Sequence, residues 1–145
     1  MQESKTLNYY DEKTQEFIES TVNVDFQETQ DKFLKLLAPK VHILDFGCGS
    51  GRDTKYFLEQ GFQVTAIDGS AELCKFASAL TGIEVKQMFF QELSEIEAYD
   101  GIWACSSILH LPYGELEDVF LKMVKAVKNG GVIYTSFKYG SFEGY

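Results

Sequence analysis

No stretch of this chain approaches the roughly 18 apolar residues that a membrane-spanning helix needs. Its opening, MQESKTLNYYDEK, has neither the basic n-region nor the apolar h-region of an export signal. A soluble, unexported, cytoplasmic protein is therefore expected. Cysteine is scarce: Cys48, Cys74 and Cys105 are odd in number, widely spaced and without CxxC or Cys/His ligand spacing. That argues against a disulfide framework and a zinc site, and it fits a reducing compartment. Positive charge is scarce as well. Against 22 acidic residues stand 13 lysines and arginines, for a net charge of −9, and the basic residues form no stripe or tail that could follow a phosphate backbone. Nucleic acid is not expected as substrate. Repeats, low-complexity tracts and linkers are missing, and no cluster of carboxylates and histidines has metal-ligand spacing, so no metal is expected.

What is present is enough apolar material for one core. A chain of 145 residues with 45% hydrophobic residues supports a single domain and is too short for two ordinary ones. Its first forty residues form a helical cap: DEKTQEFIESTV and FQETQDKFLKLLA both carry apolar residues at helical spacing, the second ending at Pro39. From residue 41 onward strands and helices alternate. Strands are expected at 41–46, 62–68, 83–89, 99–107 and 131–139, and helices at 52–60, 70–80 and 115–128. In the last helix Leu116, Val119, Phe120, Met123, Val124 and Val127 share a face, and Gly130 reads as the stop. Such alternation means βαβ units and a parallel sheet, with ligands outside the carboxyl ends of the strands near the switch point.

The stretch ILDFGCGSGRDTKYFLEQG, beginning at Ile43, points to that site. Gly47, Gly49 and Gly51 follow an apolar strand and open onto a helix, where free backbone N–H groups and the helix dipole favour an anionic or carboxylate-bearing ligand. The dinucleotide fingerprint G-x-G-x-x-G wants a glycine at position 52, which is Arg52, and there is no G-x-x-x-x-G-K-[ST]. Hydride transfer and nucleotide hydrolysis both lose ground. Asp68 closes the second strand about 20 residues after the first glycine, where an acid can accept hydrogen bonds from both hydroxyls of a ribose; alternatively Asp68 or Ser70 caps the next helix. Cys48 is either a thiol activated at a helix N-terminus or a small residue filling a tight turn. Arg52 either pairs a ligand carboxylate through its bidentate fork or joins Asp53 in solvating the helix start. Cys74 and Cys105 read as packing. His110 follows the fourth strand and is either a proton acceptor from substrate or a structural histidine, whereas His42 lies at the wrong end of the sheet.

Taken together, ILDFGCGSGRDTKYFLEQGFQVTAIDGS, YDGIWACSSILHLP, VKNGGVIYTSF and the early YYDEKTQEFI resemble the class I S-adenosylmethionine-dependent methyltransferases, and within them a small bacterial group related to tellurite-resistance methyltransferases. The resemblance implies a Rossmann-like doubly wound parallel sheet and S-adenosyl-L-methionine as cofactor. It implies that Asp45 and the backbone around Gly47, Cys48, Gly49 and Gly51 hold the methionine end, that Asp68 takes the ribose hydroxyls and that Gly69 borders the adenine. Ala104, Cys105, Ser106 and His110 would line the methyl-transfer face, and Tyr9 and Tyr10 would close over it. Many relatives place an acid just after the third strand to meet the adenine amino group; here Phe89 stands in that place. Adenine would then rest on the apolar surface around Phe90, with Gln91 reaching its edge.

The reaction implied is direct displacement of an activated methyl by an acceptor held in line, with a general base optional. An acidic chain with an aromatic-rich cap suggests a small-molecule acceptor. The family fold adds two strands beyond the GGVIYTSF strand, so five strands are expected here. An exposed edge over 132–137 predicts a homodimer or strand-exchanged assembly, or a natural protein that continues. Two other functions stay open: an incomplete module that binds the cofactor without turnover until a partner completes the sheet, and, more weakly, an NAD(P)-binding oxidoreductase domain.

Overall fold

The computed structural model describes residues 27–105 and 113–136. The helix expected within DEKTQEFIESTV and the strand end beyond residue 136 lie outside the described residues. A helix α1 (Gln27–Lys35) precedes β1 (His42–Phe46), α2 (Arg52–Glu59), β2 (Gln63–Asp68) and α3 (Ala71–Thr81). Then come β3 (Lys86–Gln87), a 3-10 turn (Phe90–Glu92), β4 (Tyr99–Cys105), α4 (Tyr113–Ala126) and β5 (Val127–Ser136). The five strands form one sheet in the order β3-β2-β1-β4-β5, and all the pairings are parallel.

β1 is central, and from Ile43 to Phe46 it is buried throughout, the run expected of a parallel strand covered on both faces. Its alternation divides the core. Leu44 and Phe46 point with Ile67, Ile102 and Ala104 toward Val119, Met123 and Ala126 of α4. Ile43 points the other way, with Trp103, toward Phe33 of α1 and Phe57 of α2. Next to them Ala66 meets Cys74 and Ala77 of α3. Helix α1 is thus a layer of the core: the Phe33 ring stands edge-on to Trp103 at 5.1 Å and is 3% exposed. Burying a side chain of that size is worth about 1.5–3 kcal/mol.

Three expected boundaries move. The third strand shrinks from 83–89 to Lys86–Gln87, both exposed at the sheet edge. Its apolar residues are used otherwise: Val85 is buried under α3, and Phe89 starts the 3-10 turn, its N–H bonded to Glu92 Oε1 at 2.7 Å. Helix α4 ends at Ala126 because Glu97 N and Ala98 N donate to the carbonyls of Lys125 and Ala126, each at 2.8 Å. Val127 already pairs with Tyr99, and the ladder resumes at Gly101 with Val132. Gly130, with φ 84°, therefore belongs to a bulge inside β5 opposite Asp100 and does not stop the helix. Val124, expected on the buried face of α4, is 59% exposed.

Candidate functional site

The strand order switches direction at β1, whose neighbours are β2 on one side and β4 on the other. Ligands of open α/β sheets bind beyond the carboxyl ends of strands at such a point. Here that end carries the glycine loop after β1, Asp68 at the tip of β2 and Cys105 at the tip of β4.

The loop glycines all adopt left-handed backbone, with φ 86° at Gly47, 57° at Gly49 and 94° at Gly51. Any other residue would be strained there. Gly51 also lets α2 lie close to α3, since a Cβ would come within 3.0 Å of Ala77 Cβ. The expectation of free amides needs correction at four positions. Gly47 N and Cys48 N donate to Ile67 O at 3.0 and 2.8 Å, Gly51 N to Cys48 O at 3.0 Å, and Gly49 N to Asp68 Oδ2 at 2.9 Å. Three of these bonds arise because the parallel neighbour β2 ends level with the loop, and the fourth, from Gly51, closes a turn within it. The loop is a preorganised surface, with its shape held by β2.

Asp68 is 7% exposed and accepts from Gly49 N through Oδ2 and from Ser70 N through Oδ1 at 2.9 Å. The cap of α3 is Ser70, whose Oγ accepts from Leu73 N at 3.3 Å.

Beneath the loop lies a buried polar cluster. Asp45 is 1% exposed and accepts from Thr54 Oγ1 of α2. Burial, and next the charge of Asp53, push its carboxyl well above the usual carboxylate range. Asp53 accepts from both Nε and Nη2 of Arg52, at 2.9 and 3.0 Å, from Trp103 Nε1 at 2.8 Å and from Gln30 Nε2 at 2.6 Å. The Arg52 guanidinium thus pairs with Asp53 and also approaches Cys105 Sγ at 3.9 Å. Composition gave no signal for Gln30. A tryptophan on a buried strand, whose N–H must find an acceptor, was the available clue to Asp53.

Cys48 is buried, and desolvation pushes its thiol well above its ordinary value, as do Asp45 and Asp68. Thiol activation requires the reverse shift, so these surroundings oppose a reactive Cys48 and favour its reading as a small residue of the turn. Cys74 donates to Asp68 O at 3.3 Å, and its thiol is pushed up to about 12, first by burial.

On the β3 side, Gly69 O accepts from Gln87 Nε2 at 3.2 Å. The Phe90 ring packs on Phe46 at 4.7 Å, while Phe89 is 42% exposed. Gln91 turns toward α4: its Nε2 donates to Glu115, and its carbonyl accepts from Lys122 Nζ. Ala104 is fully buried in the α4 face of the core, and Cys105 lies on the opposite face near Arg52. Ser106, His110, Tyr9 and Tyr10 lie outside the described residues. Among the described residues no group of His, Cys, Asp and Glu could hold a metal ion, and no helix is long and apolar enough to cross a membrane.

Residues 43–131 match the family model described as a methyltransferase domain. The chain belongs to the class I methyltransferase family. It is 30% identical over 125 residues to the malonyl-[acyl-carrier protein] O-methyltransferase of Salmonella typhimurium, covering 79% of this chain and 47% of that protein. To the ubiquinone biosynthesis O-methyltransferase of Rickettsia akari it is 32% identical over 102 residues, 67% of this chain and 40% of the relative. The chain thus spans less than half the length of these curated relatives. Among solved structures, a TehB-like SAM-dependent methyltransferase from Corynebacterium glutamicum superposes with a TM-score of 0.73 at 20% identity, over 94% of this chain and 75% of that one, which shows the shared fold. The link to tellurite resistance is not specifically shown.

Proposed function

We propose that this domain binds S-adenosylmethionine and serves direct methyl transfer to a small-molecule acceptor. The observation that carries this reading is the clamp between the glycine loop and Asp68 at the switch point, in a chain of this family. The residues suit the cofactor. Asp68 stands at the tip of β2 beside the glycine loop, the position from which an acid meets ribose hydroxyls. Asp53, Asp68 and Arg52 all lie near enough to Asp45 to act on its carboxyl, so acidic groups outnumber the one guanidinium beneath the loop, a setting that suits a ligand carrying a sulfonium and an ammonium against one carboxylate. When bound, the cofactor supplies an already electrophilic methyl group. The chain's task is to hold it, shield it from water and orient the acceptor. One relative is named a ubiquinone biosynthesis O-methyltransferase, in keeping with a small acceptor, and another is named for an acyl group borne on a carrier protein. Cys48 and Cys74, as buried thiols, suit a reducing compartment such as the cytoplasm.

Calorimetric titration with S-adenosylmethionine, S-adenosylhomocysteine and NAD tests this. Binding of the first two near micromolar, about 8 kcal/mol, with none of NAD, is the expected result. Binding of NAD alone, or of none of the three, would overturn it.

A further inference from the structure

Asp53 draws three elements to one carboxylate. Its donors come from α1 (Gln30), α2 (Arg52) and β4 (Trp103), and both Asp53 and Gln30 are buried, at 6% and 3% exposure. An ionised carboxylate has about four acceptor sites, and these bonds occupy them. A second bond ties the same helices, from Tyr56 OH to Asp31 Oδ1. Stability alone does not call for this arrangement: Phe33 already seats α1 on Phe57 and Trp103, and a buried ion pair is weak evidence for stability because well-packed apolar residues do as well or better. What the carboxylate adds is direction. It holds the Arg52 fork side-on, next to Gly51 of the loop and against Cys105 at the end of β4.

We propose that Asp53 is a positioning residue of the cofactor site, through which the seating of α1 and the placement of Arg52 become one event, so that cofactor binding and α1 docking strengthen each other. This rests on the methyltransferase reading above. The coupling is reciprocal by linkage: loosening Gln30 weakens the ligand, and the ligand quiets α1. Trp103 is the chain's single tryptophan and donates to the same carboxylate, so its emission reports the hub directly.

The test is a double-mutant cycle on the full chain with Gln30→Leu, which removes the α1 donor, and Arg52→Lys, which keeps the charge and loses the fork. S-adenosylhomocysteine affinity is measured at a temperature where every variant is folded. Gln30→Leu should weaken binding by about tenfold, within the usual range of couplings, and the double variant should bind no more weakly than Arg52→Lys alone. In the wild type, ligand should shift Trp103 emission and slow amide exchange across residues 27–35. A purely structural Gln30 would lower the melting temperature and leave affinity at the wild-type value, which would overturn the proposal, as would additive losses in the cycle. Should Gln30→Leu fail to fold, unchanged exchange of α1 on ligand binding to the wild type would overturn it just as well. A wild-type chain that binds neither S-adenosylmethionine nor S-adenosylhomocysteine would overturn the functional reading and this coupling together, whereas binding without coupling would overturn only the latter.

Discussion

Asp45 and Asp68 stand at the ends of adjacent strands, and their surroundings make different demands on each. Burial beside Asp53 makes the ionised form of Asp45 costly, so its folded pKa lies above the unfolded one. The sign follows: the stability tied to its proton is present below the unfolded carboxyl range and lost as pH rises through the folded value. Asp45→Asn, which still accepts from Thr54, should therefore melt higher than wild type at neutral pH, with the advantage vanishing in acid, while binding S-adenosylmethionine more weakly. Thermal melts across pH with parallel titrations check both halves. Asp68 serves the loop and the opening of α3 at once, so Asp68→Ala should lose stability and at least about tenfold in affinity, each buried amide left unpaired costing about 1–3 kcal/mol. Ser70→Ala is the control: loss of the cap costs about 1 kcal/mol with affinity unchanged. His42 gives a second pH signature far from the site. Burial lowers its pKa, against the opposing charge of Asp100 and together with that of Lys128, and Thr65 Oγ1 lies 2.7 Å from its Nε2. A depressed folded pKa means that the unfolded chain binds the proton more readily. Stability should thus decline as pH falls from about 6.5 through the folded value, and His42→Gln should flatten that decline in urea titrations. The loop glycines and Asp68 were legible because backbone conformation and strand-end position are local properties. The Asp53 hub was not, since Gln30, Arg52 and Trp103 meet only once three elements pack.

Among the elements, the strands and helices of the central β1–β4 region keep their expected identities, because burial on both faces leaves a nearly continuous apolar run that spacing alone reveals. The edges did not. β3 contributes two exposed residues, and whether Val85 lies in a strand or beneath a helix depends on where α3 sits. The α4–β5 junction was misplaced because the residues that end the helix, Glu97 and Ala98, come from before β4. The bulge that follows is tightly built: a Cβ on Gly131 would meet Val127 Cγ2 at 2.6 Å and Asp100 O at 2.7 Å. Gly131→Ala should cost about 1–3 kcal/mol in urea unfolding. At Gly114, in the first turn of α4, a Cβ meets nothing within 4 Å, so Gly114→Ala should stabilise by about 0.4–1 kcal/mol. The reverse ranking would mean that the β5 bulge is not formed as described.

At the scale of the molecule, β5 borders the sheet among the described residues, and we propose that its outer edge pairs with a second copy in a homodimer or strand-exchanged assembly. Light scattering on a size-exclusion column should give twice the chain mass, and a clean monomer would remove the idea. What the amino-acid order determined by itself is the set of local choices: alternating strand and helix periods, glycines where only left-handed backbone closes the loop, an acid at the second strand's tip. Those choices depend on neighbours within a few residues and so survive without any knowledge of packing. What only the tertiary structure decided is how they are shared: that β2 takes the loop amides, that α1 belongs to the core, and that Arg52 is oriented by Asp53. Apart from the neighbouring Arg52–Asp53 pair, the polar contacts involved join residues 19 to 50 positions apart, and in a buried, low-dielectric interior each polar group must find whichever partner the packing brings within reach.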